Sequence, residues 1–118
     1  MNTYYEGLLA EYFAIIILFF KGYKILARRY KTKYGEIDII TKKGKSIIAV
    51  EVKARKNGLL TTEYVSKKQL ERIKNALNFF VYKNEKYIDF NINIEIIVFN
   101  GNFRFRHFKN LELWVKKL

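Results

Sequence analysis

From Leu8 to Phe20 the chain reads LLAEYFAIIILFF, thirteen residues with a single charge, Glu11. A stretch this apolar must be covered, and the options are few. A membrane-spanning helix needs about 20 apolar residues, so this run is too short. A signal peptide wants basic residues ahead of the apolar run and small ones behind it. Here Glu6 precedes and Lys21-Gly22-Tyr23 follows. The remaining reading is a helix from about Tyr5 to Phe20, stopped by Gly22, that is buried or faces a partner. It implies a cytoplasmic protein with no membrane span; an interfacial anchor is the lesser alternative.

The 118 residues leave room for one domain, 1–118, and half of them are apolar. A chain of this size buries roughly two-thirds of its unfolded surface and can fold unaided. There is no cysteine, which excludes disulfide scaffolds, thiolate metal sites and cysteine nucleophiles. A single histidine excludes a zinc site built on several imidazoles. Against 11 Asp and Glu stand 23 Lys and Arg, a net charge of +12. Such a field suits a polyanionic partner, nucleic acid or an anionic membrane surface. The plain alternative is a compositional abundance of Lys, Asn and Ile.

Proline is absent, so breaks fall at Gly, Asn and charge. After the first helix, Lys24 to Tyr30 reads as a strand, and Glu36 to Thr41 as a second. Lys42-Lys43-Gly44-Lys45 is a charged hairpin loop. Ser46 to Ala54 is a β-branched third strand, followed by a loop from Lys56 to about Val65. Ser66-Lys67-Lys68-Gln69 fits a capping box, in which the hydroxyl takes the Gln69 amide and the Gln69 side chain reaches back. Leu70, Ile73, Leu77 and Phe80 then recur at helical spacing. Asn91 to Phe99 and Phe103 to Phe108 alternate as strands, and Leu111 to Val115 suggests one more. The order α-β-β-β-α-β-β predicts an α/β fold with a mixed central sheet flanked by helices.

The chemistry concentrates in two strands. Asp38 stands in Gly35-Glu36-Ile37-Asp38-Ile39-Ile40, thirteen residues before Glu51 in Val50-Glu51-Val52-Lys53. Alternation points Glu51 and Lys53 one way and Val50 and Val52 the other. If Thr41 pairs with Ser46, Asp38 lies opposite Ala49 and diagonal to Glu51, roughly 7–8 Å away on the same face. Two carboxylates so placed can share a hard cation such as Mg²⁺. Such a cation would neutralise a phosphate and acidify a water, with Lys53 orienting that water or steadying the developing charge. A Glu-x-Lys triplet is usually just a solvated face. Here the strand is otherwise apolar, and a lone carboxylate in it is costly. Glu11 shares a helix face with Leu8, Ile15 and Leu18. That acid can serve the same cation, pair with Lys or Arg, or face solvent.

These residues carry a resemblance. Gly7-x-x-x-Glu11, Gly22-Tyr23-Lys24-Ile25-Leu26, Gly35-Glu36-Ile37-Asp38-Ile39-Ile40, Val50-Glu51-Val52-Lys53-x-Arg55 and Val65-Ser66-x-Lys68-Gln69 resemble the YraN family of small bacterial proteins. That family is similar to the PD-(D/E)xK nucleases, archaeal Holliday-junction resolvases and restriction-endonuclease-like folds among them. The resemblance implies metal ligands at Asp38 and Glu51, a catalytic lysine at Lys53, and a metal-binding acid at Glu11. It implies a supporting place for Gln69. It also marks Glu36 and Arg55, as a structural pair or a phosphate contact. Departures are Ala10 before the helix acid, apolar Ile16, Phe19 and Phe20 where relatives are commonly polar, and Asn93-Ile94-Glu95 in a later strand. The apolar departures suggest a partner surface, a homodimer through the first helix.

The expectation is thus an endonuclease using Mg²⁺ or Mn²⁺ on DNA, branched or structured DNA included. Arg55, Lys67, Lys68 and Arg72 are candidates to hold the nucleic acid. His107, in Arg104-Phe105-Arg106-His107-Phe108, is expected at the surface, with Phe103 and Phe105 in the core and Arg104 and Arg106 free for phosphate. Two alternatives stand beside this: a non-catalytic nucleic-acid-binding protein with a nuclease-like fold, and an interaction protein docking through its apolar helix.

Overall fold

Three nine-residue segments form an antiparallel meander: β1 (Lys24–Thr32), β2 (Gly35–Lys43) and β3 (Ser46–Ala54). The computed structural model describes residues 3–101 and 104–111. β3 runs parallel to β4 (Asn91–Phe99), and β5 (Phe105–Phe108) closes the sheet antiparallel to β4. The strands lie in the order β1-β2-β3-β4-β5. A parallel pair needs a crossover, and α2 (Lys67–Lys83) supplies it; α1 (Thr3–Phe20) precedes the sheet. This is the mixed α/β order expected from the sequence.

The two helices cover opposite faces. Ile47 and Ala49 of β3 pack with Leu70, Ile73, Leu77 and Phe80 of α2. Ile48 and Val50 pack with Ala14 and Leu18 of α1. A central strand buried on both sides must be apolar at successive positions, which accounts for the Ile47–Val50 run. α1 spends only part of its apolar surface here. Ala14 and Leu18 are buried, while Tyr12, Ile16, Phe19 and Phe20 are exposed. Leu77→Ala should therefore cost about 2–5 kcal/mol in a denaturant titration, and Phe20→Ala less than about 0.5 kcal/mol. No helix among the described residues is long and apolar enough to cross a membrane.

Several local expectations change. The hairpin turn is two residues, not four: Lys43 pairs with Ser46, and Gly44 takes a φ of 57°. A glycine in the left-handed region permits that tight turn. The register then carries Ile40 to Ala49 and Ile39 to Val50, bringing Asp38 level with Glu51 rather than Ala49. At α2 the Ser66 hydroxyl accepts the Gln69 amide at 3.0 Å, the N-cap half of the expected capping box. His107 is not at the surface. Its side chain is 3% exposed and bonds to buried Glu95 at 2.6 Å. Phe105 is 42% exposed, and Phe108 is the buried phenylalanine of β5. The reason is the edge position of β5: its face toward α1 is filled by the polar cluster around Glu95. Phe103 and residues 112–115 lie outside the described residues, and Leu111 is buried in the core.

Candidate active site

Residues two apart on a strand share a face, yet β2 breaks this rule at one point. Ile37 packs on the α2 side of the sheet and Ile39 on the α1 side. β1 does the same. The Tyr30 ring meets Phe80 of α2 at 5.2 Å, while Arg28 reaches Glu11 of α1. Both strands roll over at the residue between, Asp38 on β2 and Arg29 on β1. The pairs Arg28–Ile39 and Tyr30–Ile37 bracket these two and set them level. Arg29 absorbs the roll with a φ of 49°. For a residue with a Cβ that conformation costs about 1–2 kcal/mol.

The ladder between β2 and β3 stops at the same place, after Ile39–Val50. Side chains take over the backbone bonding. Val52 N–H donates to Asp38 Oδ2 at 2.9 Å, and Asp38 N–H donates to Glu51 Oε1 at 3.3 Å. Each carboxylate thus bridges to the other strand, and the two stand side by side. Glu51 is 3% exposed. Burial first, and the charge of Asp38 second, push the Glu51 carboxyl well above the usual carboxylate range. Burial also raises Asp38, against the Val52 amide and Lys53, which favour its charged form; Glu11 pushes it further up. Lys53 acts on both acids, so its ammonium stands within electrostatic reach of the pair.

Asp38 opens into a cleft of about 360 Å³. Val52 lines it beside Asp38, with Glu36 from β2, Lys31 and Arg29 from β1 and Glu11 from α1. Glu11 is buried, and its carboxylate meets Arg28 at 3.3 Å and Arg29 at 3.4 Å. Of the alternatives open for this acid, the arginine pair is the contact seen. Among the described residues no three of His, Asp and Glu converge as a metal cluster. Asp38, Glu11 and Glu36 are therefore gathered at one cleft, with Glu51 buried behind Asp38; Glu51 and Lys53 are not among the lining residues. Gln69, Lys67, Lys68 and Arg72 are not among its lining residues; they lie in the first two turns of α2, where the three cations are exposed. Arg55 follows β3, covers the Tyr64 ring at 4.8 Å and donates from Nη1 to the Ala54 carbonyl at 2.9 Å. Sequence reasoning missed Arg28 and Arg29. Their only signal is two adjacent arginines in the strand after the acidic helix.

The family model described as "Uncharacterised protein family UPF0102" matches residues 10–105. A UPF0102 protein of Parvibaculum lavamentivorans is 34% identical over 83% of this chain and 74% of its own. One from Campylobacter jejuni subsp. jejuni is 34% identical over 89% of this chain and 98% of its own. Among solved structures, Hjc, a Holliday junction resolvase of Archaeoglobus fulgidus, matches with a TM-score of 0.58. It is 19% identical, over 91% of this chain and 78% of that one, which is a likeness of fold.

Proposed function

This chain belongs to the UPF0102 family, and from its site we propose that it is a metal-dependent endonuclease cutting phosphodiester bonds in DNA, branched DNA included. The observation that carries this is the pair Asp38 and Glu51, two neighbouring carboxylates raised by burial, within electrostatic reach of Lys53, and a cleft opening from Asp38. The donor set fits a hard divalent cation. Mg²⁺ is commonly held by one or two carboxylates, with water and substrate phosphate completing its shell. Asp38 and Glu51 would be those ligands. When bound, the cation offsets phosphate charge and acidifies water.

The chain's own residues do the rest. Lys53 donates hydrogen bonds to the attacking water or to the phosphate oxygens. Arg29 and Lys31 hold the strand against the cleft, with the +12 surface drawing it in. Glu11 holds Arg29 at the cleft and pairs with Arg28 as well; to act as a third ligand it would exchange these arginines for the cation. Arg55, Lys67, Lys68 and Arg72 extend the phosphate footprint. The resolvase fold of the Archaeoglobus protein supports branched substrates. The uncovered face of α1, with Ile16 and Phe19, supports a homodimer, which Ile16→Ser with Phe19→Ser should convert to monomer in velocity sedimentation.

The test is cleavage of labelled linear, single-stranded, flap and four-way-junction DNA with Mg²⁺, Mn²⁺ or EDTA. Cuts with either metal and none in EDTA are expected. Salt-sensitive binding without cutting would leave a binding module with a nuclease-like fold.

A further inference from the structure

α2 turns Leu70, Ile73, Leu77 and Phe80 to the core, and its opposite face carries Asn75, Asn78, Phe79 and Tyr82. With Tyr34 of the β1–β2 turn, these line a second cleft of about 460 Å³, within the roughly 300–1,000 Å³ of ligand sites. Tyr34 is 41% and Tyr82 72% exposed. The Tyr34 and Phe79 rings stand 6.1 Å apart and tilted, so they do not stack flat on each other. Lys33 lies 5.3 Å from the Tyr34 ring centre and Lys83 5.5 Å from that of Phe79. Thr32 fixes the turn, its hydroxyl accepting the Tyr34 amide at 3.0 Å and donating to the Gly35 carbonyl at 2.9 Å.

We propose that this groove between the β1–β2 turn and α2 stacks an unpaired base of a DNA strand whose backbone runs into the carboxylate cleft. The inference rests on the nucleic-acid reading given above. Ring faces beside cations are what a stacked base and its phosphate require. Asn75 and Asn78 offer amides, which both donate and accept, as base edges demand. An apolar protein segment would find those amides and two ammonium groups in its way. The groove lies on the α2 side of the sheet and the cleft on the α1 side, and the β1–β2 hairpin contributes to both. Lys31 lines the one and Lys33 borders the other, two residues apart. Tyr34 precedes Asp38 by four residues, at most about 13 Å of extended chain. That distance is about four stacked nucleotide steps. A fully paired duplex keeps its base faces covered, so the ligand is a single-stranded end, flap or loop.

The test measures anisotropy of the full chain in EDTA, with a blunt duplex and with the same duplex bearing a single-stranded tail that carries 2-aminopurine. Tyr34→Ala and Tyr82→Ala should each weaken tail binding about tenfold, leave blunt duplex binding unchanged, and abolish the quenching of 2-aminopurine. Tyr34→Phe should retain both. Equal losses on the two probes, or binding of both with no tyrosine effect, overturn the stacking site and leave the nuclease reading standing. A wild-type chain that binds neither probe sinks both. A tyrosine variant with an altered sedimentation coefficient makes the groove an interface between copies of the chain, which also overturns the proposal.

Discussion

Asp38→Asn and Glu51→Gln are each expected to lower cleavage about a thousandfold while raising the melting temperature of the protein in EDTA. The loss follows from removing one of the two carboxylates that would hold the cation set against the phosphate, several kcal/mol of transition-state stabilisation. The gain follows from burial. Two like-charged groups in contact away from water oppose folding unless a proton or a cation sits with them. Glu51 makes the sign explicit, since its folded pKa lies well above its unfolded value. A carboxyl raised on folding holds its proton more tightly in the native state. The stability this contributes is fully present below about pH 4.3. It is lost as pH rises from there through the native pKa, at about 1.4 kcal/mol for each pH unit climbed between the two values. Glu51→Gln removes that dependence. The variant and wild type should therefore melt together near the unfolded pKa, and the variant should gain as pH rises. Calorimetry across pH in EDTA, then with Mg²⁺, reads both effects. A variant that melts below wild type at neutral pH would overturn the account of a strained acidic pair.

Glu95→Ala should be the most damaging substitution outside the cleft, at about 3–5 kcal/mol, or roughly 10–20 °C in Tm. Glu95 is buried on β4, where Tyr23 Oη donates to its Oε1 at 2.8 Å and His107 meets the same oxygen at 2.6 Å. Lys21 continues the chain, its Nζ 2.9 Å from His107 Nδ1. This network ties the end of α1 to β4 and β5. Removing the acid strands a buried hydroxyl and a buried imidazole nitrogen, and each unmet group costs the full desolvation penalty. Glu95→Gln keeps an acceptor of the same shape and should cost less than half as much. Thermal melts of the two variants decide it; equal losses would show that the network acts through charge rather than hydrogen bonding.

The order of elements was legible because each segment announces its period: apolar residues at helical spacing in α2, and alternation in β4. The Ser66 cap was legible for the same local reason. Asp38, Glu51 and Lys53 could be grouped because strand alternation is rigid enough to count along. What escaped depends on three-dimensional accidents of the chain. The loop Lys42-Lys43-Gly44-Lys45 admits a turn of two or four residues, and the choice shifts Asp38 between Ala49 and Glu51. Nothing in Arg28-Arg29 signals a left-handed arginine, so the roll of β1 and β2 was invisible. Alternation separated Asn93 and Glu95 from the isoleucines of β4, but it could not say that Tyr23 and His107 would roof Glu95. The groove of Tyr34 and Tyr82 joins residues far apart in the chain, beyond the reach of any local pattern.

The two-residue turn at Gly44 and Lys45 has a reach well past its own position. Because Lys43 meets Ser46 there, every rung below inherits its partner, down to Ile39 with Val50. The hairpin works as a gauge block. One amino acid inserted at its tip would slide β3 by a step along β2, put Val50 where Glu51 belongs, and turn the acid to the wrong side of the sheet. Such a change would remove no side chain of the cleft while disabling it. Insertions should accumulate freely in the loop from Lys56 to Leu60, ahead of the capped turn at Thr62–Tyr64 and buried Val65, and be excluded from the tip of this hairpin, a contrast that a library of random single-codon insertions would display directly.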